Sequence, residues 1–290
     1  MTGRDDLEPG NRQIGAAPAL GVEIPLTSSR PATARRLAAV YTPAVVAFAA
    51  VILLWEGTTR LLDVETFLLP KPSEIITSFV DTWSTVWEFG FRTLWEAFGG
   101  FVIGVVAAVA TSFAAVRWVR FREGMLPIAI AMNSMPIVAL APIFNNWFGS
   151  TNVLAKMSVA AVVVYFPVMI NTTRGLLEVD PGELELMRSV AAGPTETMRR
   201  VRIPHALPFF FASLKVASAL SLIAAIIAEY FGGPQNVLGQ YIINRANLFQ
   251  FPDAWAAILV ASLLGIAFYV LILVMERLAM PWHVSFRETE

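Results

Sequence analysis

Six long stretches of this chain carry almost no charge, and they decide what it can fold into. Residues 37–55 run for 19 positions without a charged side chain, 97–116 for 20 and 254–275 for 22. Residues 157–173 are uncharged too, and 206–228 are broken only by Lys215. Residues 124–155 form a 32-residue uncharged stretch containing Pro127, Pro136 and Pro142, too long for one straight helix. A helix of about 20 apolar residues crosses a bilayer, and helices satisfy their own backbone there. The expected fold is an all-α membrane protein. Its six transmembrane helices lie near 37–55, 97–116, 125–146, 157–173, 206–228 and 254–275. An apolar turn from Asn146 to Asn152 follows the third.

Composition agrees and excludes several functions. Hydrophobic residues make up 56% of the chain and charged ones 15%, against roughly a quarter charged in soluble domains. Mean hydropathy is +0.62. A net charge of −1 is no footprint for nucleic acid. The absence of cysteine removes disulfides, iron–sulfur clusters and thiolate zinc sites. His205 and His283, far apart in sequence, argue against a metal centre, and no cofactor is expected. Residues 1–36, rich in Gly, Pro, Ala, Thr and Ser, read as a flexible cytoplasmic tail. Residues 37–290 read as one membrane domain. The 37–55 run exceeds the roughly 7–15 apolar residues of a secretory signal and should anchor rather than be cleaved.

The basic residues give an orientation. With both termini in the cytoplasm, 15 of the 21 Lys and Arg residues fall in internal segments and five in external ones, Lys215 lying within a span. The external segment 56–96 holds seven acidic residues and an amphipathic stretch, 75–89. That stretch is expected to lie along the membrane face, opening at Pro70-Lys71-Pro72 with Ser73 as its cap.

Residues 174–205, between spans four and five, are unlike a short connector. Asp180 can cap a helix, Pro181 suits its first position, and Glu183 stands where a capping box places its acid. Leu184, Met187 and Ala191 then share a face. Gly193-Pro194 breaks this helix, and a second runs from Pro194 to about Val201, closed by Pro204. The expectation is a rigid, charged helical elbow.

The elbow resembles the cytoplasmic motif of permeases from bacterial binding-protein-dependent ABC importers: Glu-Ala-Ala, three residues, Gly, nine residues, Ile, one residue, Leu-Pro. Glu185 is in register with the motif Glu. Ala191 takes the Gly position, Val201 the Ile position, and Ile203-Pro204 the Leu-Pro position. The surrounding text, Glu178-Val179-Asp180-Pro181, Arg188-Ser189 and Arg200-Val201-Arg202, is similar to the nitrate/sulfonate/taurine branch. The resemblance covers about residues 67–282. It implies a coupling helix docking on a separate ATPase through Asp180, Glu183, Glu185, Met187, Arg188, Ala191, Gly193 and Pro204. It also implies a second permease copy, ABC ATPase subunits, a solute-binding protein outside, and a bacterial inner membrane as the surrounding lipid.

Other features bear on the path. There is no Gly-x4-Gly-Lys-Ser/Thr phosphate loop, so energy is expected from a partner and the chain is not expected to be an enzyme. Gly100 and Gly104 read as a site of close helix packing. Asn133, Ser134 and Pro136 interrupt the third span, and polar groups there tend to face protein or water. Asn145, Asn146 and Trp147 mark its outer end, and Glu229 the outer end of span five. Amides beside flat rings suit a heterocyclic solute, such as riboflavin or a thiamine pyrimidine precursor, slightly better than taurine, an alkanesulfonate or nitrate. A stand-alone transporter or channel would need a coupling-ion site, which so few internal carboxylates do not supply. An intramembrane enzyme would need a nucleophile–base set.

Overall fold

The computed structural model describes residues 34–281, with side chains from Thr42 onward. The tail reading for 1–36 and His283 therefore fall almost wholly outside the described residues. Among those described, every regular element is a helix. Five are long and apolar enough to cross a membrane: α1 (Ala34–Leu61), α3 (Trp83–Arg117), α6 (Val153–Leu177), α9 (Ile203–Tyr230) and α11 (Phe251–Ala279).

The third expected span is not one helix. It is a pair, α4 (Val119–Met132) and α5 (Ile137–Phe148), bent by 98° at Asn133–Pro136. The crossings number six if this pair counts as one. Proline explains the break: Pro136 lacks an N–H and bars the helical region to the residue before it. α5 stops at Gly149, whose φ of 94° lies where only glycine is at ease.

The bundle is built around α6. Its main partners are α3 and α9, with α11 closing the far side of α9 and α3. Gly100 and Gly104 explain the α3–α6 seam. A Cβ on Gly100 would stand 2.5 Å from both Ala160 Cβ and Met157 O, and one on Gly104 would stand 2.6 Å from Ala161 O. Only glycine admits the neighbouring backbone, as the spacing predicts. Ser112 Oγ adds a crosslink to Met169 O at 3.1 Å.

The segment 75–89 departs from expectation. α2 (Pro72–Asp81) ends at Thr82, and the rest belongs to α3. α2 packs on α11 with Ile75 and Ser78 buried, and Ser78 Oγ donates to Asp253 at 2.6 Å. Ser73 is not its cap. Lys71 holds that position, its amide reaching Glu74, while Ser73 N and Oγ both donate to Glu56 of α1. A carboxylate on the preceding helix offers Ser73 a stronger acceptor than its own helix end.

Candidate functional site

At one end of the bundle lies the elbow. α7 (Pro181–Ser189) is capped by Asp180, which accepts from Gly182 N at 2.6 Å. It ends in a paired closure: Ala192 N donates to Met187 O and Ala191 N to Arg188 O, both at 2.9 Å. That closure places Ala191 at φ 54°, outside the helix. Helix α7 thus stops before Gly193, earlier than expected. Its uncovered apolar ridge is Leu186 and Val190, 64% and 65% exposed, while Leu184 and Met187 are half-buried and Ala191 lies past the helix end. Glu183, Glu185 and Arg188 are exposed beside it, Met187 half-buried beneath.

The second arm is not closed by Pro204. α8 (Pro194–Thr197) passes through a π-helical turn, Met198–Arg202, directly into α9. The wider turn shifts the hydrogen-bond register, so Pro204 falls at the start of a new α-helical run, where its missing N–H costs nothing. Arg202 donates to Leu176 O at 2.7 Å, and His205 Nδ1 pairs with Gly175 O at 2.8 Å. The arm is therefore tied to the end of α6 as well as continuous with α9.

At the opposite end, a second constellation appears, of which the sequence singles out only Glu229. Glu96 of α3, Lys156 of α6 and Glu229 of α9 converge, all buried, Lys156 and Glu229 with no exposed surface. Lys156 lies within electrostatic reach of both acids, and the Glu96 and Glu229 side chains meet. Lys156 Nζ also donates to Ser150 O. Glu229 Oε2 accepts from Gly239 N at 2.6 Å, and Thr93 Oγ1 accepts from Leu238 N at 3.0 Å. Gln240 Nε2 reaches Glu229 O. α10 (Leu238–Asn247) thus has its first turn clamped by α3 and α9. Buried charges are costly unless paired and hydrogen-bonded; here one lysine faces two acids, and Glu96 Oε2 and Glu229 Oε1 are left without a hydrogen-bond partner.

The residues expected on the path separate. Asn133 and Ser134 lie exposed at the α4–α5 bend, and Asn146 and Trp147 are exposed on α5. Asn145 turns inward, 6% exposed, its Nδ2 donating to Ala228 O at 3.1 Å. Glu229 is packed inside the cluster. Lys215, the one charge within span five, pairs with Glu276 of α11 at 2.7 Å.

A helical bundle with five or six apolar crossings, bent at one, and a helical elbow at one end define a multi-pass membrane protein. The chain belongs to the family described as binding-protein-dependent transport system inner membrane component, matched over residues 100–281. It is an ABC importer permease. It is 28% identical over 236 residues to the formylaminopyrimidine transport permease protein ThiX of Halalkalibacterium halodurans, covering 81% of this chain and 93% of that one. It is 28% identical to the riboflavin transport system permease protein RibX of Chloroflexus aurantiacus, covering 81% and 87%. To the putative aliphatic sulfonates transport permease protein SsuC of Escherichia coli it is 26% identical, covering 83% and 91%. Among solved structures, an amino acid ABC transporter shares the fold with a TM-score of 0.57 at 19% identity, over 69% of this chain and 97% of that chain.

Proposed function

We propose that two copies of this chain enclose a path for a small polar heterocycle, driven by ATPase subunits that dock on the elbow and fed by a solute-binding protein at the opposite end. The elbow then faces the cytoplasm with both termini, the orientation that the arginine placement favours. The observation that carries this reading is α7 itself. It buries none of its residues, yet it is capped at both ends and presents Leu186 and Val190 between charged neighbours. An isolated helix of this length is marginal in water, so an ordered one with an uncovered apolar ridge fits a protein partner's cleft. Glu185 and Arg188 supply the polar rim of that contact.

The path runs past the α4–α5 bend, where Asn133 and Ser134 expose polar groups in an apolar region and Asn146 and Trp147 stand at the outer end. Amide and indole suit a flat, polar ring, the kind of solute named for two of the relatives. A sulfonate is the second reading, favoured by the third relative.

The experiment is ATP-driven uptake by proteoliposomes holding the permease, its ATPase and its binding protein. Labelled riboflavin, formylaminopyrimidine and taurine are offered in turn. Glu185→Arg with Val190→Asp is expected to leave the permease inserted but to release the ATPase and abolish uptake. Full uptake by that double variant removes the coupling assignment. Transport of taurine alone moves the chain to the sulfonate reading.

A further inference from the structure

We propose that this permease carries a site for a zwitterionic phospholipid with a primary-ammonium headgroup, on the outer flank of α3 at the end opposite the elbow. The site is two joined cavities. The upper one, about 570 Å³, is walled by Glu88, Phe91, Arg92, Trp95 and Glu96 of α3 and by Asn236 of the α9–α10 connection. The lower one, about 310 Å³, runs between α3 and α11 and is lined by Phe91, Leu94, Trp95, Phe98, Phe268 and Leu271. Phe91 and Trp95 belong to both, so head and groove are continuous.

The depth matches a lipid. Every charged wall residue precedes Ala97, where the uncharged run of α3 begins, and Phe98 and the α11 residues lie below it. Trp95 stands at the boundary, the level at which indoles settle in bilayers. The groove is open sideways, with Phe91, Trp95 and Phe98 exposed. A soluble solute would leave that apolar wall uncovered, whereas an acyl chain fills it.

The polar groups match one headgroup class. Arg92 and Glu88 form an exposed ion pair at 3.0 Å, a plus–minus arrangement that a zwitterion can bridge. Arg92 takes the phosphate, for which a guanidinium is suited, and the Asn236 amide supports it. The ammonium falls to Glu88 and to Glu96. Glu96 is 3% exposed, and its Oε2 has no hydrogen-bond partner, which is costly unless a donor arrives. A primary ammonium supplies three such donors. A trimethylated headgroup supplies none, and a glycerol headgroup supplies no charge.

The test uses the full transporter, permease with ATPase, stripped of lipid in detergent. Ethanolamine, choline and glycerol phospholipids with identical acyl chains are titrated in, and bound lipid is counted by native mass spectrometry. The ethanolamine lipid is expected to be retained about tenfold more tightly than either other, the worth of one charge-assisted contact. Glu96→Gln is expected to erase that preference. Ala267→Trp, at an exposed groove position, is expected to remove retention of all three, and it decides the matter if the Gln variant fails to assemble. Equal retention of the three lipids by the wild type overturns the proposal, as does undiminished retention by Ala267→Trp. So does no retention of any lipid, the groove then being closed by protein. Release of bound lipid by riboflavin, formylaminopyrimidine or taurine would reassign the cavity to the transported solute.

Discussion

Lys215 Nζ and Glu276 Oε2 stand 2.7 Å apart, joining α9 to α11 between two apolar spans. Both side chains are largely buried, so neither charge can be left alone cheaply. Removing one partner of a buried pair costs about 3–5 kcal/mol, whereas replacing both with apolar groups can be neutral. Lys215→Met and Glu276→Leu are each expected to lower the thermal midpoint of the detergent-purified protein. The double change is expected to restore most of it. Additive losses in the double variant would show that the two residues act separately.

The clamp on α10 makes a second prediction. A Cβ at Gly239 would stand 2.6 Å from Glu229 Cβ and 2.7 Å from Ile226 O. One of those atoms is backbone, so α10 must move. Overpacking of this kind costs about 1–3 kcal/mol, and Gly239→Ala should loosen α10 and raise its hydrogen exchange. Glu229→Gln keeps an oxygen for the Gly239 amide and should be milder in this readout than Glu229→Ala. Equal effects from Gln and Ala would mean that the carboxyl's charge, not its acceptor, holds the helix.

That clamp also shows what the sequence hid. Spans read from uncharged runs began at 97 and 157 and stopped at 228. The residues that set those limits are Glu96, Lys156 and Glu229, the three that meet in the fold. A charge at the edge of an apolar run looks like the place where water begins. Here each charge faces an opposite charge from another helix, so α3, α6 and α9 continue past it, α3 by fourteen residues before Ala97. Tertiary pairing between positions 60 and more residues apart leaves no local trace. By contrast, the Gly100–Gly104 seam and the cap at Asp180 are local, and both were legible. The bend at Pro136 was half legible: the interruption at Asn133 and Ser134 was visible, the 98° turn was not, because proline breaks a helix without fixing where the chain goes next.

Ala191 offers a prediction of the opposite sign. Its φ of 54° closes α7, and an L-residue other than glycine is strained there by about 1 kcal/mol or more. The resembling motif carries glycine at this position for a reason the geometry supplies. Ala191→Gly should raise the thermal midpoint while leaving ATPase docking intact. A lowered midpoint would show that the alanine methyl makes a contact worth more than the strain.

Orientation can be tested with single cysteines, since the chain has none. Ser84 and Gln235 are exposed at the end opposite the elbow, and Thr195 is exposed on the elbow. In intact cells an impermeant thiol reagent should label Ser84→Cys and Gln235→Cys and spare Thr195→Cys until the cells are opened. Outside labelling at Thr195→Cys would invert the topology and place the ATPase contact elsewhere.

Asn145 and Asn146 are adjacent in sequence and opposed in role, and separating them tests the path directly. Asn145 Nδ2 donates to Ala228 O, one of the last four carbonyls of α9, which no residue of the helix itself is obliged to satisfy. Asn145→Leu removes that donor in a buried place, at about 1–3 kcal/mol, and should lower stability without selecting among solutes. Asn146 is exposed on α5, so Asn146→Leu should leave stability unchanged. If its amide meets the solute as the ring sheds water, uptake of the cognate heterocycle should fall about tenfold, the same unpaired-group cost expressed as a rate, while basal ATPase activity persists. The two measurements are thermal midpoint and solute uptake at matched protein levels. Normal uptake of every solute by Asn146→Leu would take Asn146 off the path, and reduced uptake with an equally reduced midpoint would mark it as a packing residue.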